Sequence, residues 1–304
     1  MKRLTILIAA AACLLCGCGS SDSSTALSKA ATEAVTTAGQ SGTVDFQHGD
    51  GNYEKLPTGY YRIPAGTQLY DRDGNPAAAA ESEKLCRGGW SKNGLELTMP
   101  VEDGKNELGE AQYRYGNFYI KDEAAMIPAS VEEARETVVN YALEMSRKPK
   151  QTYVLSGEYV GEDETRSDCS GMTELAYLQI GLYLEHYTVA QANNGGTAVF
   201  DNLERVGEDQ GNEVYRVKDE NASVDYSTLE KGDLLFFLCT TNSSTDNDLF
   251  TSDGIGHVAM YIGDGQMVHF TAGYGDTNHP CRTEDLADYE SRVLKVRKAV
   301  RYIY

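Results

Sequence analysis

"RSDCSGMTELAYLQIGLYL", residues 166–184, joins a polar turn to an apolar-periodic run, and the reading of its cysteine decides the fold. Met172, Leu175, Ala176, Ile180 and Leu182 recur at helical spacing, which predicts a helix that starts near Asp168 or Cys169 with these residues as its inner face. The Cys169 thiol then faces unpaired backbone N–H groups and the positive end of the helix dipole. Both favour a thiolate, and a neighbouring imidazole would favour it further. The same N–H groups would meet the oxyanion of an attacked carbonyl. The competing reading is a buried cysteine that packs like alanine.

The choice turns on which base the chain supplies. Its histidines are His48, His186, His257, His269 and His279. His257 opens the strand pattern "GHVAMYIG" (256–263) and His269 closes "GQMVHF" (265–270), with Gly263-Asp264-Gly265 as a tight turn between them. Such a hairpin makes the strands antiparallel neighbours. The even separation of the two histidines allows one face to hold both, giving a base and a group that orients it.

Working outward, Ser130-Val131-Glu132-Glu133 reads as a capping box. The helix behind it carries Ala134, Val138, Val139, Ala142 and Met145 on one side and ends before Pro149. Strand patterns follow at "DLLFFLC" (233–239) and in the C-terminal "RVLKVRKAVRYIY". Helices first and meandering strands after predict an α+β domain over 128–304. Residues 193–227 and 240–253 read as acidic or polar loops walling a cleft. Upstream, 53–127 alternates short, tyrosine-rich runs with Asp-Gly, Asn-Gly and Pro breaks, the pattern of a small antiparallel β domain. Its tyrosines fit cross-strand packing better than a glycan-stacking face. "DRDGN" (71–75) fits a hairpin turn better than a calcium loop, because later ligands are missing.

The chain opens with Lys2 and Arg3 before the apolar run 4–15, too short to span a bilayer and suited to an export signal. Leu15-Cys16-Gly17-Cys18 resembles a bacterial lipobox, which makes 1–18 a lipoprotein signal and Cys18 the lipidated residue. The alternative is ordinary secretion after cleavage near Gly17. Residues 19–52 are rich in Ser, Thr, Ala and Gly; a coil of that length reaches roughly 30 Å, enough for a tether. The net charge of −19 over 304 residues argues against nucleic acid as partner. With Cys18 acylated and Cys169 a working thiol, at most one disulfide remains among Cys86, Cys239 and Cys281, so this is no disulfide scaffold.

"DCSGMTELAYLQIGLYL", "LEKGDLLFF" and "GIGHVAMYIGDGQMVHF" together resemble the NlpC family of bacterial cell-wall cysteine peptidases, a papain-like fold of helices packed on a meandering antiparallel sheet. Lys231 stands where that family has Pro, and the segment ending at Gln191 aligns with a further family motif. The resemblance implies Cys169 as nucleophile, His257 as general base and His269 as the residue orienting it, without metal or cofactor. It places Asp168 and Ser170 along the substrate cleft and a substrate-contacting tyrosine at Tyr153, with Tyr159 as competitor. His186 stands where the family has Arg and is read as a surface residue; His48 and His279 are read as solvated loop residues. A calcium site at Asp246, Asp248 and Asp253 is disfavoured, as is a zinc site built from the three catalytic residues. The implied substrate is the peptidoglycan stem peptide, cut between D-γ-glutamyl and a diamino acid. An amidase that frees stem peptide from sugar and a non-catalytic wall-binding lipoprotein are the alternatives. "YRIPAGTQLYDRDG" and "YGNFYIKD" resemble bacterial domains of the Src-homology-3 type, implying a small barrel for 53–127.

Overall fold

The computed structural model describes residues 59–304 apart from 72, 92–93, 106–110, 122–124, 210–211, 239–253 and 272–277. The readings of Cys18, His48, Cys239 and Asp246, Asp248 and Asp253 fall outside these residues. Among the described residues, 59–138 with 176–184 form one compact unit and 139–175 with 185–304 another.

In the first unit, β1 (Tyr60–Ile63) lies between β4 (Lys84–Arg87) and β8 (Ile127–Ala129), antiparallel to both. A second sheet runs in the order β3-β2-β7-β6-β5, from β2 (Gln68–Tyr70), β3 (Pro76–Ala79), β5 (Gly89–Ser91), β6 (Gly94–Lys105) and β7 (Ala111–Ile120). Tyr61, Ile63, Leu69, Cys86, Ile120 and Met126 form its core. Tyr60 and Tyr119 are buried as well, so these tyrosines serve packing. "DRDGN" is a turn closed on itself, with Asp71 Oδ1 accepting from the backbone N–H of Asp73 and of Asn75 at 2.9 and 2.8 Å.

The capping box forms as its residues require. Glu133 N–H donates to Ser130 Oγ at 3.1 Å, and Ser130 N–H donates back to Glu133 Oε2 at 2.7 Å. It starts α1 (Val131–Ser146), whose Ala134, Val138, Val139, Ala142 and Met145 are all buried.

The second unit is built on a six-stranded antiparallel sheet in the order β12-β19-β15-β16-β17-β18. Its strands are β12 (Thr197–Asp201), β15 (Leu234–Leu238), β16 (Ile255–Gly263), β17 (Gln266–Phe270), β18 (Cys281–Asp285) and β19 (Val296–Arg301). β15 is buried along its whole length, which explains an apolar run without alternation: a central strand covered on both faces has no polar side. The β16–β17 turn uses positive φ at Asp264 (51°) and Gly265 (70°), the conformation a two-residue hairpin loop of matching twist requires. Asp233, at the foot of β15 and buried, is spent on structure: Arg301 Nε and Nη2 grip its two carboxylate oxygens at 2.9 and 2.7 Å.

Smaller elements complete the unit. β9 (Lys150–Tyr153) runs parallel to β11 (Glu164–Ser167), which pairs antiparallel with β10 (Glu158–Val160). Two short helices follow α1: α2 (Cys169–Leu178) and α3 (Thr188–Asn193); α4 (Leu286–Arg292) covers one sheet face with Leu286 and Tyr289. Residues 193–227, expected to be loops, instead hold β12 on the sheet and a hairpin of β13 (Leu203–Asp209) and β14 (Asn212–Val217). The register shifts at Ala198/Phe200 and Arg205/Gly207. Each shift moves apolar side chains out of simple alternation, so the sequence pattern faded.

Candidate active site

α2 begins at Cys169 because Asp168 caps it. The Asp168 carbonyl accepts the first helical bond from Met172 N–H at 3.0 Å, and its Oδ1 accepts from Gly171 N–H at 2.8 Å. Ser170 Oγ donates to the same oxygen at 3.0 Å, while Oδ2 accepts from Ser156 N–H at 2.7 Å. Ser156 holds a left-handed φ of 58° to do so. Cys169 is therefore the first helical residue and is buried. The expected inner face was a stripe, yet both sides of α2's first turns are buried, Thr173 and Glu174 included. Gln191 ties down that first turn: its Nε2 donates to Ser170 O at 2.9 Å and its Oε1 accepts from Thr173 Oγ1 at 2.7 Å.

His186 corrects the sequence reading. It is no surface residue: its ring is largely buried, with Nε2 2.8 Å from Asp168 Oδ1 and Nδ1 2.6 Å from Glu158 Oε1. Glu174 Oε2 lies 3.3 Å from the same Nδ1. Burial opposes a charged ring, but Asp168, Glu158 and Glu174 outweigh it and hold the imidazole protonated well above its usual range. The same contact holds the buried Asp168 carboxyl below its usual range against the cost of burial.

The two strand histidines meet. Ala259 pairs with His269 across β16 and β17, so His257 is the diagonal neighbour, and His257 Nε2 lies 2.9 Å from His269 Nδ1. Both rings are buried. Phe237 packs on His257 at 5.6 Å between ring centroids, and Tyr289 meets His269 edge-on at 5.3 Å. Beyond them, Glu284 Oε1 sits 3.4 Å from His269 Nε2 and accepts from Arg282 Nε at 2.6 Å. At 3.4 Å that carboxylate is too far for a hydrogen bond, yet its charge favours a proton on the near nitrogen. A proton on His269 Nε2 facing Glu284 leaves Nδ1 as acceptor, so His257 Nε2 donates and His257 Nδ1 keeps its basic lone pair. Burial, then the neighbouring His269 and Arg282, push His257 well below its usual range; burial also lowers His269. His269 and Arg282 hold the Glu284 carboxyl down at about 2. Glu284 and Arg282 were invisible in the sequence because β18 carries no apolar alternation to mark it as a strand.

Packing links α2 to these strands. Met172, one turn beyond Cys169, places its sulfur 3.9 Å from that of Cys281, whose partner on β17 is Phe270. Tyr153 stands with its ring 6.1 Å from that of Phe270, whereas Tyr159 lies in the β10–β11 hairpin under Arg166, 4.8 Å from its guanidinium. Of the two tyrosines, Tyr153 is the one brought to the histidine strands. Cys86 and Cys281 are free thiols pushed up by burial, Cys86 to about 12. His279 is exposed.

A capped cysteine helix on an antiparallel sheet carrying a buried histidine pair defines a cysteine–histidine domain of the α+β class. Residues 151–289 match the NlpC/P60 family, and the chain carries a domain belonging to it. Among solved structures it is similar to NlpC1 from Trichomonas vaginalis, at 17% identity, TM-score 0.37, covering 81% of this chain and 69% of that one. It is also similar to an NlpC/P60 family protein from Bacillus cereus ATCC 10987, at 17% identity, TM-score 0.34, covering 81% of this chain and 64% of that one. The peptidoglycan hydrolase RipB from Mycobacterium tuberculosis matches at 18% identity and TM-score 0.33, over 57% of this chain and 67% of that one. The chain thus spans about two thirds of the length of these structures. At such scores the likeness is faint, and the family rests on the match over 151–289. Comparison with curated proteins finds no match. Among the described residues no helix is long and apolar enough to cross a membrane.

Proposed function

We propose that this chain is an exported, lipid-anchored cysteine peptidase that hydrolyses amide bonds of peptidoglycan stem peptides, of the D-γ-glutamyl–diamino acid endopeptidase type. The observation that carries the reading is the buried His257–His269 pair, 2.9 Å apart, in the unit where Cys169 heads α2. His257 Nδ1 takes the Cys169 proton, and the thiolate attacks the scissile carbonyl carbon. As the tetrahedral intermediate collapses, the C–N bond breaks and His257 returns the proton to the leaving amine. Water, deprotonated by the same ring, then cleaves the thioester and frees Cys169. N–H groups at the mouth of α2 receive the oxyanion. His269 orients His257, and Tyr153 contacts substrate. Asp168, with both carboxylate oxygens engaged, shapes the cleft by holding the helix mouth, and Ser170 is bound to it.

The lipobox-like run ending at Cys18, with 19–52 as tether, supports anchoring in the cell envelope, and 53–127 is read as an accessory domain of the Src-homology-3 type before a peptidase domain at 128–304. The test is to incubate the soluble 19–304 fragment with purified wall or defined muropeptides and identify new termini by mass spectrometry. New diamino-acid amines that vanish in C169A support the reading. Stem peptide freed from sugar instead would make the protein an amidase, and an unaltered wall would make it a binding lipoprotein.

A further inference from the structure

His186 is a largely buried cation that the proposed mechanism does not use. Its ring meets three carboxylates from two elements: Asp168 at the N-cap of α2, Glu174 on α2 itself, and Glu158 on β10. Both ring nitrogens face carboxylate oxygens at hydrogen-bond distance, 2.8 and 2.6 Å, and a ring that donates from both nitrogens is an imidazolium. Burial makes the interaction strong: the side chains of His186, Asp168 and Glu174 retain 14%, 8% and 0% exposure. Glu158 is the more open partner at 28%. Gly171 makes room for it. A Cβ there would lie 2.7 Å from His186 Cε1 and 2.7 Å from Ser167 Oγ, so only glycine lets the ring lie against the helix.

Asp168 caps α2 immediately before Cys169, but as a bare carboxylate it would oppose the thiolate on the very next residue. A cation on Oδ1, the oxygen that also accepts from Gly171 N–H, offsets that opposition and keeps the cap. We infer that His186 is a positioning residue of the cysteine site: its cationic ring locks the Asp168 N-cap carboxylate and neutralises it towards Cys169. The inference rests on the reading of Cys169 as a working thiolate. It assigns no substrate contact to His186.

The experiment measures alkylation of Cys169 by iodoacetamide against pH, read on its own peptide by mass spectrometry, beside turnover of muropeptides and thermal melting. H186Q can still donate to Asp168 but carries no charge. It should raise the pH of half-maximal alkylation by about one unit, the usual effect of a like charge left beside an ionising group, and lower kcat/KM about tenfold. H186R restores the charge and should return both to within about threefold of wild type. A merely structural histidine would lower the melting temperature in both variants and leave the alkylation midpoint in place. If H186Q does not fold because Glu158 and Glu174 repel, the triple variant H186Q/E158Q/E174Q is read instead and should show the same rise. An unmoved midpoint in the folded variant, or failure of H186R to restore it, overturns the inference. So does a loss of melting temperature on EDTA treatment of wild type that H186R lacks, since the cluster would then hold a metal ion. Wild type that alkylates normally but leaves muropeptides intact overturns the functional reading alone; an unmoved midpoint in an active enzyme overturns this inference alone.

Discussion

His186 and the His257–His269 pair lie in one unit, all largely buried, yet they carry opposite charge states. Two rings that face mainly each other share one proton-bearing nitrogen contact at 2.9 Å, with a single carboxylate at 3.4 Å, and stay neutral. A ring that faces carboxylates through both nitrogens, at 2.6 and 2.8 Å, stays charged. Burial pushes every one of these rings towards neutrality. What separates them is the count of anions within hydrogen-bond reach, and so a base and a fixed cation are made from the same side chain.

The largest effect that would break this contrast comes from the neutral side. H257A should abolish turnover of muropeptides, a loss of about 10⁴-fold or more, while H269Q should keep detectable activity after a loss of about 10²–10⁴-fold. Steady-state rates decide it, and an H257A protein that turns over freely would reverse the roles. On the cationic side, G171A forces a methyl group against the His186 ring and the Ser167 hydroxyl. Overpacking of this kind should cost about 1–3 kcal/mol, measurable by denaturant melting. Unchanged stability would mean that the ring does not occupy that space.

Smaller effects sharpen the contrast by pH. Glu284, held at about 2 against an ordinary 4.5, contributes stability that is fully present above about 4.5 and is lost as pH falls towards 2. The lowered His257 and His269 add stability present above about 6.5 and lost as pH falls below it. The raised His186 acts in the reverse sense: its contribution is present below about 6.5 and is lost as pH rises through its folded value. Melting temperature should therefore decline towards acid through the histidine pair and Glu284, and towards base through His186. E284Q should flatten the acid limb below about 4.5 and reduce turnover roughly tenfold by loosening the proton assignment on His269. H186R should flatten the alkaline limb and leave the acid limb as it is. An acid limb unchanged in E284Q would show that Glu284 does not bear on the pair.

Smallest of all is the expected difference in reactivity between Cys169 and the two core thiols. Cys86 and Cys281, buried and pushed up, should resist iodoacetamide at mildly acidic pH while Cys169 reacts. Equal labelling of all three would remove the special position given to the mouth of α2.

Elements whose signal is local are legible in the chain alone. The capping box of Ser130 and Glu133, the buried stripe of α1, the start of α2 beside Asp168 and the Asp264-Gly265 turn are each set by neighbours within a few residues. That turn fixes the register of β16 and β17, which is why two histidines far apart in number could be placed side by side from sequence. Features that depend on distant partners appear only once the chain is folded. β12 and β18 are strands because β19 and β17 offer them edges, not because their own residues alternate. Glu284 reaches His269 across that pairing, and His186 meets carboxylates from β10, the α2 cap and α2 itself. A lone histidine in a polar stretch reads as a solvated one, because charge state is a sum over neighbours in space and sequence lists only neighbours along the chain.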